Sequence, residues 1–183
     1  LTLAAAGCGG DGGSSGGAVS GIATTTTTTT TAAPAPSSIV SLSATATEIL
    51  FAIGAGDQVV AVDDQSTYPA EAPMSALSGF TPNVESIAGY DPDLVVISYD
   101  PGDLVVGLTA LGIGVLMQGA ANAIDDTYAQ IAELGDMTGH ADEAAALNES
   151  IADELAALAE RQPGARLTFF HEIASPLYPA SSS

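Results

Sequence analysis

The chain has 183 residues, 46% of them hydrophobic and 13% charged, which is enough apolar material for one domain or for one lobe with shorter pieces attached. Its 22 acidic residues far outnumber the two basic ones, Arg161 and Arg166, and the resulting net charge of −20 excludes electrostatic binding to nucleic acid. The same charge opposes binding to anionic lipid headgroups, and no apolar run reaches the length that spans a bilayer.

The first eight residues resemble the end of a bacterial lipoprotein leader. Small residues precede Cys8 in Leu3-Ala4-Ala5-Ala6-Gly7-Cys8, and a glycine- and serine-rich stretch follows it. In that pattern the cysteine is acylated and becomes the first residue of the mature protein, so we predict lipidation of Cys8 and a leader whose start is missing. A chance free cysteine in a flexible tail is the alternative. Because Cys8 is the only cysteine, an intramolecular disulfide is excluded.

Residues 9–38 have the composition of a flexible tether. They contain a Gly/Ser-rich stretch, eight consecutive threonines at 24–31, and an Ala/Pro segment, with no hydrophobic periodicity. Such a segment buries too little apolar surface to offset its conformational entropy, so we predict that it is disordered. About 30 residues of flexible chain reach roughly 30 Å, which would hold a domain away from a membrane.

From Ile39 onward, short apolar runs alternate with helical patterns. The runs are continuously apolar, which is typical of a parallel sheet covered on both faces. Strands are predicted at residues 39–42, 59–62, 94–98 and 113–117. The alternation of strand and helix predicts an α/β N-terminal lobe over residues 39–140, with helices covering a parallel sheet through right-handed crossovers.

The first predicted helix begins with a capping box, Thr45-Ala46-Thr47-Glu48, and ends near Gly54. Further helices are predicted at residues 103–111, 125–137 and 141–162.

The last of these helices carries an apolar stripe on one face. The stripe consists of Ala144, Leu147, Ile151, Leu155 and Leu158. We predict that residues 141–162 form a rigid spine about 33 Å long between two lobes. Residues 163–183 then begin a second α/β lobe that the sequence breaks off, because one strand cannot form a lobe alone.

Five blocks along this part of the chain, taken together and in this order, closely resemble one family. The blocks are residues 39–57, Tyr68-Pro69, Gly79-Phe80 with residues 83–87, residues 90–95, and residues 170–173 with Leu177-Tyr178. They resemble the substrate-binding proteins of ABC importers for cobalamin and iron–siderophore complexes, the class III periplasmic binding proteins or helical-backbone metal receptors. The resemblance covers residues 39–183 and implies two lobes joined by one long helix, with ligand between them.

The function that this resemblance implies is capture of cobalamin or a ferric-siderophore-type chelate outside the cytoplasm, by a receptor lipid-anchored to the cell membrane. The implied partners are an ABC permease and its ATPase subunits, and neither enzymatic activity nor a cofactor is implied. Glu85 matches the family's first-lobe glutamate, which docks onto arginines of the permease. A solvated first-turn glutamate that favours the helix dipole is the alternative for Glu85.

Ligand contacts are expected where parallel strands end, because ligands bind there in open α/β sheets. This rule selects Ser43, Ala44, Gln65, Ser66, Ser98, Tyr99, Asp100 and Gln118. Phe80, in the loop before Glu85, is a candidate stacking surface. Each of these residues is alternatively an ordinary loop residue.

His171 and Glu172 adjoin the strand that begins the second lobe, so they are candidates to face the ligand. A hydrogen-bonded structural histidine is the alternative. One histidine and one glutamate are too few ligands for a metal site, so no metal site is predicted.

The sequence contains no phosphate-binding loop, dinucleotide fingerprint or nucleophile elbow, so we predict no enzymatic activity. Within the same class, a receptor for haem or another metal chelate is the alternative. From other classes, a secreted α/β hydrolase and a structural lipoprotein stay open.

Overall fold

The computed structural model describes residues 34–161, which form an α/β lobe built on one five-stranded parallel sheet. The strands are β1 (Ile39–Leu42), β2 (Val59–Asp63), β3 (Met74–Leu77), β4 (Leu94–Ile97) and β5 (Gly114–Met117). The helices are α1 (Ala44–Ala52), α2 (Val84–Ala88), α3 (Leu104–Ala110), α4 (Ile124–Thr138) and α5 (Ala141–Glu160), with a 3₁₀ turn at Ala55–Gln58. The predicted fold class is confirmed by this architecture.

Strand β1 lies at the centre of the sheet, whose order is β3-β2-β1-β4-β5. All four of its residues are buried, and it pairs with β4 in regular parallel register from Ile39↔Leu94 to Leu42↔Ile97. The chain reaches β4 only after passing through β2 and β3 on the other side of β1. The parallel pairing explains the continuously apolar strands, since both faces of the sheet are covered.

Two apolar clusters lie on the two faces of the sheet, as the alternation of side chains along a strand requires. In β1, Ile39 belongs to one cluster and Val40 to the other. The first cluster is completed by residues of α1, α4 and α5, and the second by residues of α2 and α3. Helices therefore cover both faces.

Helix α1 begins earlier than the sequence predicted. Its N-cap is Ser43, whose side chain accepts from the Ala46 backbone N–H, and the helix starts at Ala44. The predicted capping box starting at Thr45 is thus wrong, because Ser43 already has the extended backbone of an N-cap and Thr45 lies inside the first turn.

Strand β3 was missed by the sequence analysis. It is an edge strand in which only Leu77 is buried, while Met74 is exposed. Its sequence, Met-Ser-Ala-Leu, has no continuous apolar run, so it carries little of the signal that revealed the other four strands.

Helix α5 packs on α4 only along its first half. Ala144 is buried against Gly135 of α4 so closely that a Cβ at Gly135 would overlap it, and Leu147 and Ile151 pack against the same core. From residue 152 to residue 160 every side chain is exposed, including Leu158 at 58%. None of the helices within residues 34–161 is both long enough and apolar enough to cross a membrane.

The start of the lobe is attached through Asp93, which immediately precedes β4. Its Oδ2 accepts from the Ser37 N–H (2.8 Å), the Ser37 hydroxyl (2.8 Å) and the Ser38 N–H (3.1 Å). These hydrogen bonds hold the pKa of Asp93 below its ordinary value, with the Ser37 hydroxyl as the largest cause. These hydrogen bonds therefore attach Ser37 and Ser38, which lie inside the range predicted as tether, to the lobe.

Replacing Asp93 with asparagine should make the lobe less stable near neutral pH. A carboxyl group whose pKa is lowered by folding contributes stability that is fully present above its unfolded pKa, about 4, and is lost as the pH falls through the lowered value. The stability difference between wild type and Asp93→Asn should therefore be constant above about pH 5 and should close in more acidic buffer.

Urea denaturation across that pH range measures the difference. Asp136→Asn is the control, because Asp136 is exposed on α4 and accepts no hydrogen bond within the described part of the chain. A difference that widens in acid would contradict this account of Asp93.

Candidate functional site

The carboxyl ends of the strands meet at one edge of the sheet, and the strand order reverses direction between β1 and β4. The chain leaves β1 toward β2 on one side, whereas β4 and β5 lie on the other side. Neighbouring loops thus diverge and leave an opening beyond the strand ends, which is where open α/β sheets bind ligands. Two clefts lie at this edge.

The smaller opening, the Phe80 cleft, has a volume of about 190 Å³. Residues from the ends of β1, β2, β3 and β4 surround it. They are Leu42, Ser43, Ala44, Thr45, Asp63, Gln65, Gly79, Phe80, Ser98 and Tyr99. Four of the five strand ends therefore contribute to the surface of the Phe80 cleft.

The larger opening, the Gln118 cleft, has a volume of about 340 Å³ and lies toward β5 and α4. Its lining consists of Ser43, Thr45, Ala46, Ser98, Gln118, Gly119, Ala120, Ala121, Thr127 and Gln130. Ser43, Thr45 and Ser98 line both clefts, so the two openings adjoin across the start of α1.

Hydrogen bonds from its own loop and from Tyr99 hold the backbone of Phe80 at the edge of the Phe80 cleft. The Tyr99 hydroxyl lies 3.1 Å from the Phe80 carbonyl oxygen and 3.2 Å from that of Gly79, and it donates to this pair. Ser78 Oγ accepts from the backbone N–H of Phe80 (3.3 Å) and of Thr81 (3.1 Å). The Phe80 ring is nevertheless 65% exposed, so it offers an apolar face to anything that enters.

A chain of buried hydroxyl groups lies beneath the Phe80 cleft. Ser66 donates to Asp63 Oδ1 from its hydroxyl (2.6 Å) and its backbone N–H (2.9 Å). The Thr47 hydroxyl lies 3.2 Å from Ser66 Oγ and 2.8 Å from Ser41 Oγ, and Ser41 in turn donates to the Ser43 carbonyl (3.2 Å). The network connects β1, α1 and the end of β2, so it fixes the floor of the cleft.

Gln118 follows β5 and anchors the far wall of the Gln118 cleft. Its Nε2 donates to the Gln130 carbonyl (3.1 Å) and to Glu133 Oε2 (2.9 Å), and Gln130 Nε2 donates to the Gly119 carbonyl (2.7 Å). These bonds tie the loop after β5 to helix α4. Because both amide hydrogens of Gln118 have partners in α4, only its carbonyl oxygen is left for a solute.

The structure places seven of the candidate ligand residues around the two clefts. They are Ser43, Ala44, Gln65, Phe80, Ser98, Tyr99 and Gln118. Ser66 is fully buried and supports Asp63 instead, while Asp100 lines neither cleft and accepts from the Val105 N–H (3.1 Å) at the start of α3. Cys8, His171 and Glu172 lie outside the described residues.

Sequence reasoning missed Thr45, Asp63, Gly79 and Gln130. Asp63 ends β2 one residue later than predicted, and a carboxylate at the end of a buried strand in a chain without lysine is a signal that could have revealed it. The other three carry no such signal, because only the folded chain brings them to the strand ends.

Glu85 is exposed in the first turn of α2, where the Asn83 side chain caps the helix by accepting from the Ser86 N–H (2.8 Å). Helix α2 follows the loop that carries Phe80, so Glu85 lies on the side of the lobe where the clefts open. Within residues 34–161, no three His, Cys, Asp or Glu side chains are grouped so as to hold a metal ion.

Comparison with known proteins assigns this architecture to a class. The model of the periplasmic binding protein family matches residues 39–179. The "Cobalamin-binding protein" of Halobacterium salinarum is 34% identical over 133 residues, which are 70% of this chain and 36% of that protein.

Two further relatives have similar identity. The "Uncharacterized ABC transporter substrate-binding lipoprotein YvrC" of Bacillus subtilis is 32% identical over 69% of this chain and 42% of its own. The "Vitamin B12-binding protein" of Yersinia pestis is 30% identical over 80% of this chain and 54% of its own.

Solved structures share the fold. The periplasmic haem-binding protein RhuT from Roseiflexus sp. RS-1 superposes with a TM-score of 0.62 at 26% identity, covering 67% of this chain and 49% of that one. The periplasmic vitamin B12-binding protein BtuF of Vibrio cholerae gives 0.57 at 26% identity, covering 69% and 51%.

The chain therefore belongs to the periplasmic binding protein family, as its sequence blocks predicted. The family consists of binding proteins and not of enzymes, which agrees with the prediction that this chain is not an enzyme. The chain spans between about a third and a half of the length of the curated relatives described above, at 36%, 42% and 54%.

Removing the Tyr99 hydroxyl should loosen the Phe80 loop without unfolding the lobe. Tyr99→Phe keeps the ring but loses the hydrogen bonds to two carbonyl groups, which together are worth about 1 kcal/mol at a partly exposed site. We expect solute affinity to fall about fivefold while the midpoint of thermal unfolding changes little.

Isothermal titration and circular dichroism measure the two effects. Tyr90→Phe is the matched control, because Tyr90 is similarly exposed and lies just before β4, at the opposite edge of the sheet. Equal losses of affinity in both variants would refute the role given to the Tyr99 hydroxyl.

Proposed function

We propose that this chain is the first lobe of an extracytoplasmic solute-binding lipoprotein of an ABC importer, which captures cobalamin or a ferric-siderophore-type chelate. The observation that carries the proposal is the pair of adjoining clefts beyond the carboxyl ends of β1 and β4, with the exposed Phe80 ring held over one of them. Two relatives of at least 30% identity are named for binding cobalamin or vitamin B12, which supports the corrinoid as the first solute to test.

The clefts are open and lie on one lobe, so they form half of a binding mouth in this proposal. Helix α5 is evidence for a second lobe that completes the binding site. Its exposed outer part, with Leu155 and Leu158, is suited to pack against such a lobe. We assign residues 141–162 as the spine between the lobes and residues 163–183 as the start of the second lobe. In the same proposal His171 and Glu172 face the ligand from that second lobe.

Titration of the full-length protein tests the proposal. Absorbance and calorimetric titrations with cyanocobalamin, a ferric siderophore and haem should give saturable binding of at least one of them at micromolar or lower concentration. Absence of binding to all three would overturn the proposed function and would favour a structural lipoprotein.

Haem is the second candidate solute. The specific observation in its favour is the structural similarity to the haem-binding protein RhuT at 26% identity. The same titration separates the two candidates, since each solute has its own absorbance change on binding.

Glu85 is proposed as the residue that docks onto the permease. It is an exposed acidic residue in a short capped helix, and it lies on the side where the clefts open without lining either of them. A charged residue outside the ligand site on that side is suited to pair with arginines of the permease.

Reversing this charge should abolish uptake while leaving binding intact. In Glu85→Arg a like-charge contact replaces an ion pair at the permease, at a cost of about 2–5 kcal/mol, so uptake by cells should fall more than about tenfold. The solute Kd should not change, because Glu85 lines neither cleft.

Glu143→Arg is the matched control. Glu143 is exposed in the first turn of α5, close to Thr138, which Gln58 contacts at the amino edge of the sheet. Normal uptake in Glu85→Arg, or an equal loss in Glu143→Arg, would exclude docking through Glu85.

Anchoring through Cys8 is the remaining part of the proposal, with the residues between Cys8 and Ser37 as the tether. It is supported by the lipobox-like residues before Cys8 and by the relative YvrC, which is named a lipoprotein. Replacing Cys8 with serine should move the protein from the membrane fraction to the soluble fraction and remove incorporation of labelled fatty acid. A variant that stays in the membrane fraction would exclude this anchor.

A further inference from the structure

Asp63 is a nearly buried carboxylate, with 2% of its surface exposed, and it lines the Phe80 cleft. Its Oδ1 accepts both hydrogen bonds from Ser66, at 2.6 Å from the hydroxyl and 2.9 Å from the backbone N–H. Its Oδ2 accepts none from any residue between 34 and 161 and lies against Gly79, where an added Cβ would collide with it. One oxygen is thus fixed by the protein and the other is left without a donor.

The network of buried hydroxyl groups fixes this arrangement of hydrogen bonds around Asp63. Each hydroxyl group has a single hydrogen to donate. Because Ser66 gives its hydrogen to Asp63, Thr47 must donate to Ser66 or Ser41, and Ser41 donates to the Ser43 carbonyl. The hydrogens of the network all have acceptors, so none is available to satisfy Asp63 Oδ2. That oxygen is therefore open to a donor that enters the cleft.

The basic residues of the chain do not provide a partner for Asp63 either. The sequence contains no lysine, and Arg161, the one lysine or arginine within residues 34–161, lies at the end of α5 and does not line the cleft. The amino end of α1 adds partial positive charge of about half an elementary charge. No lysine or arginine side chain lines the cleft, so the acidic side chain of Asp63 has no cation beside it.

We propose that Asp63 is a specificity-determining residue, which accepts a hydrogen bond from an amide, hydroxyl or ammonium group of the solute and rejects solutes that place a carboxylate there. This inference rests on the proposed function and narrows its solute class. It favours chelates whose periphery carries neutral amides, as corrinoids do, over chelates whose periphery carries carboxylates, as haem does. A carboxylate facing Asp63 would be a buried like-charge pair without a cation.

A matched pair of ligands tests the inference without any substitution in the protein. Cyanocobalamin and its mixed side-chain monocarboxylic acids differ only in whether an amide or a carboxylate occupies one position. Titrated into full-length wild-type protein, the acids that face Asp63 should bind at least about tenfold more weakly than cyanocobalamin. Haem should also bind more weakly than cyanocobalamin.

Asp63→Asn provides the second test. The asparagine carbonyl can accept both bonds from Ser66, while its NH₂ group replaces the free oxygen and turns an acceptor into a donor. We expect affinity for cyanocobalamin to fall about tenfold and the preference over the monocarboxylic acids to disappear. Asp64→Asn is the control, because Asp64 is the adjacent, exposed carboxylate and does not line the cleft.

The outcomes separate this inference from the proposed function. If no chelate binds to wild type, the proposed function itself fails. If cyanocobalamin binds but its acids bind equally well, or if Asp63→Asn folds normally and keeps the preference, the role of Asp63 is refuted while the function stands. If Asp63→Asn does not fold, as judged by circular dichroism, the ligand pair on wild type decides alone.

Discussion

The two-sided hydrogen bonding of strand β1 is the constraint on which this lobe depends. β1 pairs with β2 on one side and with β4 on the other, and its four residues are buried. Because the chain leaves β1 toward β2 and returns to β4 on the opposite side, the loops at the carboxyl edge diverge on either side of β1. The pairing that stabilises the sheet therefore also creates the opening in which both clefts lie.

Polar groups at this edge are arranged by the protein and not by a solute. Ser43 caps α1, Tyr99 holds the Phe80 loop, and Ser66 fixes one oxygen of Asp63. Each of these bonds fixes the position of a group at this edge before a solute binds. A site of fixed shape loses less conformational freedom on binding than a flexible one.

The helix α5 combines two environments along one apolar stripe. Ala144 is buried against α4, whereas Leu158 near the other end is exposed, although both belong to the same periodic pattern. The apolar stripe of α5 therefore extends beyond the part of the helix that packs on α4. The contrast supports a spine, because a helix that only covered its own lobe would not need the outer part of the stripe.

The sequence by itself determined the strands β1, β2, β4 and β5, the long helices and the parallel sheet, because continuous apolar runs and helical periodicity are local patterns. It also selected Tyr99 and Gln118, since strand ends can be read along the chain, and Phe80, as an aromatic residue in the loop before Glu85. Only the tertiary structure decided that Ser66 is buried beneath the cleft, because its hydroxyl group meets Thr47 of α1, which is distant in sequence. The edge strand β3 and the glycine at 79 likewise became significant only when the sheet brought them beside Asp63, a contact that no local pattern encodes.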